Sequence, residues 1–189
     1  MRDYRKLGQI LLDRGKITSE QLDVVIQGGP NRGRRIGDAL VAMGFATEWD
    51  VAECLAEQFG FDMVDPGKIT PEQRALSLLT ADVALSHKVL LHRSSQDMIE
   101  CVMSDPIDFP TSDMISQICG RRTFIRIAPV SALVAAIRRA YGLKDGPEHA
   151  RPARRSRRRA PRLPKDREAI LAQLDASERA SDEAVYVRL

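Results

Sequence analysis

Two glycines near the start of predicted helices are the residues at which this chain could bring a ligand close to its backbone. Gly8 lies two residues after Lys6, and Gly37 lies two residues after Arg35. A glycine inside a helix costs about 1 kcal/mol relative to alanine, so its use at the same place twice indicates a close approach. The neighbour is either another helix or a ligand, and packing between helices is the favoured interpretation.

Residues that could act as catalysts are present but are not grouped. His87, His92 and His149 stand apart in the sequence, and Asp105 and Asp108 are interpreted as solvated turn residues. The three cysteines are isolated, without the paired spacing of a metal site. No G-x-x-x-x-G-K-[ST] loop occurs, so the chain lacks that cradle for a nucleoside triphosphate. We therefore expect no enzymatic activity and no metal, and binding is the remaining class of function.

The two glycines belong to a tandem repeat with an offset of 29 residues, since Gly8 corresponds to Gly37 and Gly15 corresponds to Gly44. Self-similarity at a fixed offset indicates one supersecondary unit used twice, with each copy burying its apolar face against the other. Two copies are too few for a solenoid, so we expect a duplicated helical pair. Further equivalent pairs are Thr18 with Thr47, Leu22 with Val51, and Ile26 with Leu55.

Each copy predicts two helices joined by a tight turn. Aliphatic residues at helical spacing open the copy, and Gly15 or Gly44 then provides the left-handed cap that ends the first helix. Thr18 and Thr47 are placed to cap the second helix, and Gln21 completes a capping box with Thr18. The apolar stripes consist of Leu7, Leu11, Leu12, Leu22, Val25 and Ile26 in copy one, and of Ile36, Leu40, Val41, Val51, Cys54 and Leu55 in copy two.

The tandem pattern resembles the MshEN domain, the N-terminal module of the GspE-type ATPases of type II secretion and of type IV pilus assembly. Many members of that family bind cyclic di-GMP, with one motif for each half of the dinucleotide. The resemblance covers residues 2–142 and continues through Phe61-Asp62-Met63-Val64-Asp65 and the closing Ala140-Tyr141-Gly142. The tandem is specific, whereas either copy alone would be a weak signal, and the chain lacks the ATPase motif.

The resemblance implies that cyclic di-GMP lies along the repeat and that no other cofactor is bound. The glycines would admit the ligand close to the backbone, and the aliphatic side chains would pack against guanine and ribose. A basic side chain at the head of each motif would contact base or phosphate. The implied ligand-binding residues are Lys6, Leu7, Gly8, Leu11, Leu12, Gly15, Leu22 and Ile26 of copy one, with Arg35, Ile36, Gly37, Leu40, Val41, Gly44, Val51, Leu55 and Gln58 of copy two.

Copy one departs from the family pattern at both of its polar positions. Lys6 stands where the motif has arginine, and Gly29 stands where copy two has Gln58, unless the shifted Gln27 replaces that amide. Two lost polar contacts of about 1–3 kcal/mol each could weaken binding a hundredfold or more. The alternative is that the motifs persist as helix-packing signatures without a ligand. Because the glycine and apolar positions remain in both copies, binding is the favoured interpretation.

The sequence predicts an α+β fold in which a duplicated helical-pair subdomain packs with a small α/β subdomain, followed by a basic tail. The predicted boundaries are 1–64 for the tandem-repeat subdomain, 65–142 for the α/β subdomain of the same MshEN-like domain, and 143–189 for the tail. Residues 151–189 carry 11 Lys or Arg against 6 Asp or Glu, whereas residues 1–150 carry 18 against 20, so the basic character belongs to the tail. We expect the tail to be mostly disordered, with a short helix compatible with residues 166–178.

Local patterns predict the elements that follow the repeat. Residues 89–93 and 98–103 are apolar runs joined by a polar turn and predict a hairpin, residues 123–127 predict a third strand, and residues 59–64 predict a short connection or an edge strand. We expect Thr70 to cap a helix that runs through Leu79, and Ser131 to cap a last helix that runs through Tyr141.

The predicted function is that of a regulatory module that senses cyclic di-GMP. The alternative is a ligand-independent protein–protein adaptor that docks to a secretion or pilus machine. The family implies an inner-membrane platform protein or a separate assembly ATPase as partner. Nucleic acid is a disfavoured partner because the domain has no basic field, and the absence of a long apolar run or signal-peptide core predicts a cytoplasmic protein with no integral membrane segment.

Overall fold

A computed structural model describes residues 6–27 and 35–144 of the chain. Helices and one four-stranded sheet are both present, which confirms the predicted α+β class. Contacts divide the chain into two compact units, with the division between Asp50 and Val51. We call residues 6–27 and 35–50 the helical unit, and residues 51–144 the sheet unit. The predicted subdomain boundary between residues 64 and 65 stays a prediction, as do the tail and the loop at 28–34, which lie outside the described residues.

The helical unit contains the tandem repeat as two helical pairs. Helix α1 (Leu7–Asp13) and helix α2 (Ser19–Gln27) form copy one. Helix α3 (Ile36–Ala42) and the start of helix α4 (Glu48–Phe59) form copy two. Helix α3 contacts both α1 and α2, so the two copies pack against each other as the repeat predicts. The buried apolar side chains of the unit are those of Leu7, Ile10, Leu11, Ile17, Val25, Ala39, Leu40, Phe45 and Ala46.

The sheet unit is built on one four-stranded sheet. Strands β2 (Val89–Ser94) and β3 (Met98–Met103) form an antiparallel hairpin, and β4 (Arg122–Ile127) runs parallel to β3. Strand β1 (Asp62–Met63) adds a short parallel edge to β4, so the spatial order of the strands is β1-β4-β3-β2. The predicted hairpin and third strand are therefore confirmed, and of the two alternatives for residues 59–64 the structure has the edge strand, at Asp62–Met63.

Helices cover both faces of this sheet. Helix α7 (Phe109–Cys119) and helix α5 (Gln73–Leu76) cover one face through Ile115 and Ala75. On the other face, helix α8 (Val130–Ala140) packs its side chains Leu133 and Ile137 over the strands. A 3-10 turn (Pro66–Lys68) and helix α6 (Ala81–Ser86) complete the unit. The hairpin residues alternate between the two cores, as the period-two geometry of a strand requires.

Two predicted helix starts are wrong in detail. Thr70 does not cap the predicted helix, because the chain remains extended through Glu72 and α5 begins only at Gln73. Glu72 is held there by β2, since its N–H donates to the carbonyl of His92 at 2.9 Å. Ser131 does not cap α8 either, because Pro129 occupies that position and the helix begins at Val130. Helix α5 also ends at Leu76 rather than at the predicted Leu79, since the next turns tighten.

Candidate ligand-binding site

The basic residues that begin the two motifs occupy the same backbone position. Lys6 is the N-terminal cap residue of α1 with φ −66° and ψ 145°, and Arg35 is that of α3 with φ −71° and ψ 145°. Both residues are exposed, and neither side chain caps its helix. Each backbone carbonyl accepts the first helical hydrogen bond, from Ile10 or from Ala39. The two side chains therefore begin at equivalent helix N-termini, where anions are stabilised.

Gly8 and Gly37 are both buried at the second residue of their helices. A Cβ atom at Gly8 would lie 2.9 Å from Cδ1 of Leu22, which is closer than real Cβ contacts come. The close approach predicted for Gly8 is thus an approach between α1 and α2. This glycine brings Leu22, itself a predicted ligand-binding residue, next to the start of the motif.

The two motifs end in the same turn. Gly15 has φ +63° and Gly44 has φ +68°, which confirms the predicted left-handed caps. In copy one the N–H of Gly15 donates to the carbonyl of Leu12 at 2.8 Å, and in copy two the N–H of Gly44 donates to the carbonyl of Val41 at 2.9 Å. The repeat in the sequence is therefore a repeat of backbone geometry.

Capping boxes fix the start of the second helix in each copy. In copy one the N–H of Thr18 donates to Oε1 of Gln21 at 2.9 Å, and the N–H of Gln21 donates to the Thr18 hydroxyl at 3.3 Å. In copy two the N–H of Thr47 donates to Oδ2 of Asp50 at 3.1 Å, and the N–H of Asp50 donates to the Thr47 hydroxyl at 3.1 Å. Both predicted threonine caps are confirmed, and the carboxylate box of copy two is an addition.

The predicted site residues fall into three classes of exposure. Leu11 and Leu40 have no exposed surface, so in this conformation they support the site from behind. Exposed residues are Lys6, Gly15, Ile26, Arg35 and Gly44; half-exposed residues are Leu12, Leu22, Ile36, Val41, Val51, Leu55 and Gln58; buried residues are Leu7, Gly8, Leu11, Gly37 and Leu40. Most equivalent positions of the two copies fall in the same class; the exceptions are Leu7, which is buried where Ile36 is half-exposed, and Ile26, which is exposed where Leu55 is half-exposed.

The last three predicted residues lie further along α4. Val51, Leu55 and Gln58 are spaced by four and by three residues, so they project from one face of that helix. All three are half-exposed. The assignment of Ile26 to the buried stripe of α2 is wrong, because its side chain is 64% exposed.

An ion pair that the sequence does not predict joins the two copies. Nζ of Lys16 lies 2.6 Å from Oδ1 of Asp50, and the side chains are 35% and 21% exposed. Partial burial alone would raise the pKa of Asp50, but hydrogen bonds from Lys16 and Thr47 outweigh it and hold that pKa below its ordinary value. The sequence does show that copy two has Phe45 in place of Lys16, but it does not show which carboxylate pairs with Lys16.

The histidine and carboxylate side chains outside the repeat that were considered as catalysts make local contacts within the sheet unit. Asp108 caps α7 by accepting the N–H of Thr111 at 3.2 Å, and Asp105 accepts the N–H of Ile107 at 3.2 Å. Nδ1 of His92 lies 3.5 Å from Oε2 of Glu100 on the next strand, and burial lowers the pKa of His92. Within residues 6–27 and 35–144, no group of three or more His, Cys, Asp or Glu side chains could hold a metal ion.

A cavity of 390 Å³ lies in the sheet unit, and none of the residues that line it is a predicted site residue. Its lining includes Gln73, Leu76, Thr80 and Tyr141. The Tyr141 hydroxyl donates to the carbonyls of Leu76 and Leu79 at 3.2 and 3.1 Å, so its polar group is already used. In the part of the chain that the structure describes, no helix is long and apolar enough to cross a membrane.

Comparison with known protein families and structures identifies relatives of this chain. Residues 59–147 match the family model of the MshEN domain. A structure of MshE with cyclic di-GMP (cdg) superposes on 72% of this chain and 99% of its own length, with a TM-score of 0.63 and 28% identity. The N-terminal domain of XpsE matches with a TM-score of 0.60 over 72% of this chain and 94% of that one, at 20% identity, which shows a shared fold.

Relatives in sequence are much longer proteins. Bacteriophage adsorption protein B of Escherichia coli K12 is 31% identical over 149 residues, which are 77% of this chain and 19% of the relative. The type IV pilus assembly ATPase PilB of Thermus thermophilus is 29% identical over 118 residues, which are 61% of this chain and 13% of that protein. The chain thus spans less than a fifth of the length of these curated relatives.

Proposed function

Because this chain carries an MshEN domain related to those of type IV pilus and type II secretion ATPases, we propose that it is a non-catalytic regulatory module that binds cyclic di-GMP. The proposed ligand consists of two identical guanylate halves. A site of two equivalent motifs offers each half the same backbone surroundings.

The observation that carries this proposal is the repeated geometry of the two motifs. Lys6 and Arg35 have matching dihedral angles at the helix N-termini, and Gly15 and Gly44 form matching left-handed turns. Helix packing alone would require the apolar stripes to recur, but it would not require an exposed basic residue at both N-termini. The recurrence of that exposed charge supports an anionic ligand with two similar halves.

The proposed contacts divide by exposure. The Arg35 guanidinium would stack on a guanine or bridge phosphate oxygens, whereas Lys6 supplies charge without a planar fork. Half-exposed aliphatic side chains, Leu12 and Val41 among them, would pack against the bases. Gln58 would supply an amide contact for copy two; its counterpart Gly29 lies outside the described residues. We therefore expect the copy-two half of the site to contribute more binding energy.

Isothermal titration of the whole chain with cyclic di-GMP tests the proposal. We expect Arg35→Ala to weaken binding by about 10- to 100-fold, because a hydrogen bond to a charged group is worth about 1.5–3 kcal/mol. Lys6→Ala should weaken it less. Lys68→Ala is the control, because Lys68 is a highly exposed lysine of the sheet unit and lies outside the proposed site. Absence of heat and of ligand displacement at high concentration would rule out this function.

A second function, protein–protein docking, is suggested by the length of the relatives. The chain matches only 13% of a pilus assembly ATPase, so related domains are parts of larger proteins. We propose as partner an inner-membrane platform protein or a separate assembly ATPase, with the chain in the cytoplasm. A pull-down with and without cyclic di-GMP separates the two functions. Equal recovery of such a component in both arms would favour the ligand-independent adaptor.

A further inference from the structure

We propose that the ion pair between Lys16 and Asp50 is a positioning contact that fixes the spacing of the two repeat copies, and thereby the affinity for the ligand. The effect on affinity rests on the proposed function, whereas the effect on spacing does not. Neither residue is among the predicted ligand contacts. Lys16 and Asp50 are positioning residues, since they would act through the placement of the two motifs.

The ion pair joins the end of one motif to the helix of the other. Lys16 directly follows Gly15, whose left-handed turn ends the first motif. Asp50 lies in the first turn of α4 and directly precedes Val51, a predicted contact of copy two. Any change in the separation of Lys16 and Asp50 therefore moves one motif relative to the other.

Asp50 is held in place independently of Lys16. Its Oδ2 atom accepts hydrogen bonds from the N–H of Thr47 at 3.1 Å and from the Thr47 hydroxyl at 2.5 Å, which leaves Oδ1 for Lys16 at 2.6 Å. The carboxylate thus has one oxygen in the capping box and the other in the ion pair. A fixed carboxylate loses little conformational entropy when it pairs, so this contact can set a distance more sharply than an ordinary surface ion pair.

The repeat lacks this contact at the symmetry-related position. The residues equivalent to Lys16 and Asp50, at an offset of 29, are Phe45 and Gln21. Phe45 is 6% exposed and Gln21 is 2% exposed, so uncharged, buried side chains replace the ion pair there. Lys16 and Asp50 are partly exposed, so a single substitution can remove their ion pair without creating a cavity in the core.

A ligand that contacts both copies at once depends on their spacing. If the copies are already spaced for the ligand, binding pays no cost for arranging them. If the ion pair is absent, part of the binding energy is used to restore the arrangement, and affinity falls. A partly exposed ion pair implies an effect of about two- to fivefold.

Titration calorimetry of single and double variants measures the effect on affinity. Lys16→Met removes the charge, and Asp50→Asn removes the ion pair while keeping an oxygen for the Thr47 cap. We expect each to weaken cyclic di-GMP binding about two- to fivefold with unchanged stoichiometry, and the double variant to weaken it no further. Lys16→Arg should restore binding, because it keeps the positive charge. Lys68→Met, which breaks a looser ion pair of 3.8 Å in the sheet unit, should have no effect.

Spin labels measure the spacing without any ligand. Asp23 on α2 and Asp38 on α3 are exposed and belong to different copies, so each is replaced by a labelled cysteine in a Cys119→Ser background. We expect the distance distribution between the labels to be narrow in the parent chain and in Lys16→Arg, and broader or shifted in Lys16→Met.

The two arms separate this inference from the proposed function. A parent chain that binds no cyclic di-GMP would end the proposed function, and the labels would still decide whether the ion pair sets the spacing. An unchanged distance distribution in Lys16→Met would overturn the positioning role whatever the affinity. Additive losses in the double variant would also overturn it, because each residue would then act alone.

Discussion

Replacement of either turn glycine by alanine should destabilise the helical unit by the same amount. Gly15 and Gly44 have φ angles of +63° and +68°, and no atom lies within 4 Å of the Cβ that alanine would add. The cost is therefore backbone strain rather than a clash. A left-handed conformation costs a residue other than glycine about 1–2 kcal/mol, and the stiffer unfolded chain returns about 0.4–1 kcal/mol. We expect a net loss of about 1 kcal/mol for each variant.

Fluorescence of Trp49 provides the assay, because it is the single tryptophan of the chain and lies in the helical unit. Urea titration should show equal shifts in midpoint for Gly15→Ala and Gly44→Ala. Asparagine enters the left-handed region more readily than alanine, so Gly15→Asn should cost less. Equal costs for Gly15→Ala and Gly15→Asn would refute the strain argument, and clearly unequal costs for Gly15→Ala and Gly44→Ala would refute the claim that the copies share one backbone geometry.

Three further outcomes follow from individual contacts. Because the pKa of Asp50 is held below its ordinary value of 3.8, the stability that its carboxylate contributes is complete above that pH and is lost as the pH falls through the lower pKa of the folded state. The difference in stability between the parent chain and Asp50→Asn, measured by urea titration, should therefore shrink as the pH falls through this range. A growing difference would contradict this account. Tyr141→Phe should lower the free energy of unfolding by about 1 kcal/mol, because its hydroxyl bonds to two backbone carbonyls, and an unchanged thermal midpoint would show those bonds to be unimportant. Burial raises the pKa of Cys101 to about 12, so mass spectrometry after iodoacetamide treatment at pH 8 should find the half-exposed Cys119 modified before Cys101, and the reverse order would contradict the burial of Cys101.

The elements with local signals were predictable from sequence. Gly15 and Gly44 end their helices because no other residue adopts that conformation so readily, and Thr18 and Thr47 cap the helices that follow. The hairpin of β2 and β3 followed from two apolar runs joined by a short polar turn. In each case the deciding interaction spans only a few residues.

The elements that depend on distant contacts were missed or misplaced. Glu72 remains extended because β2 accepts its N–H and supplies the N–H of Ser94 to its carboxylate, a contact 22 residues away in the chain. The ion pair of Lys16 with Asp50 likewise joins residues from different copies. The local sequence around Glu72 or Lys16 does not specify which distant residue each of them contacts, so only the packed structure identifies these partners.

The central claim is that the ligand lies on the tandem repeat, and an amide NMR titration of the whole chain with cyclic di-GMP tests it most directly. Glycine amides appear in their own region of the spectrum, so those of Gly8, Gly15, Gly37 and Gly44 report on both motifs at once. We predict saturable shifts at these four amides and at the side chain of Arg35, with much smaller shifts in strands β2 and β3. Saturable shifts confined to the sheet unit, or none at millimolar ligand, would contradict the claim.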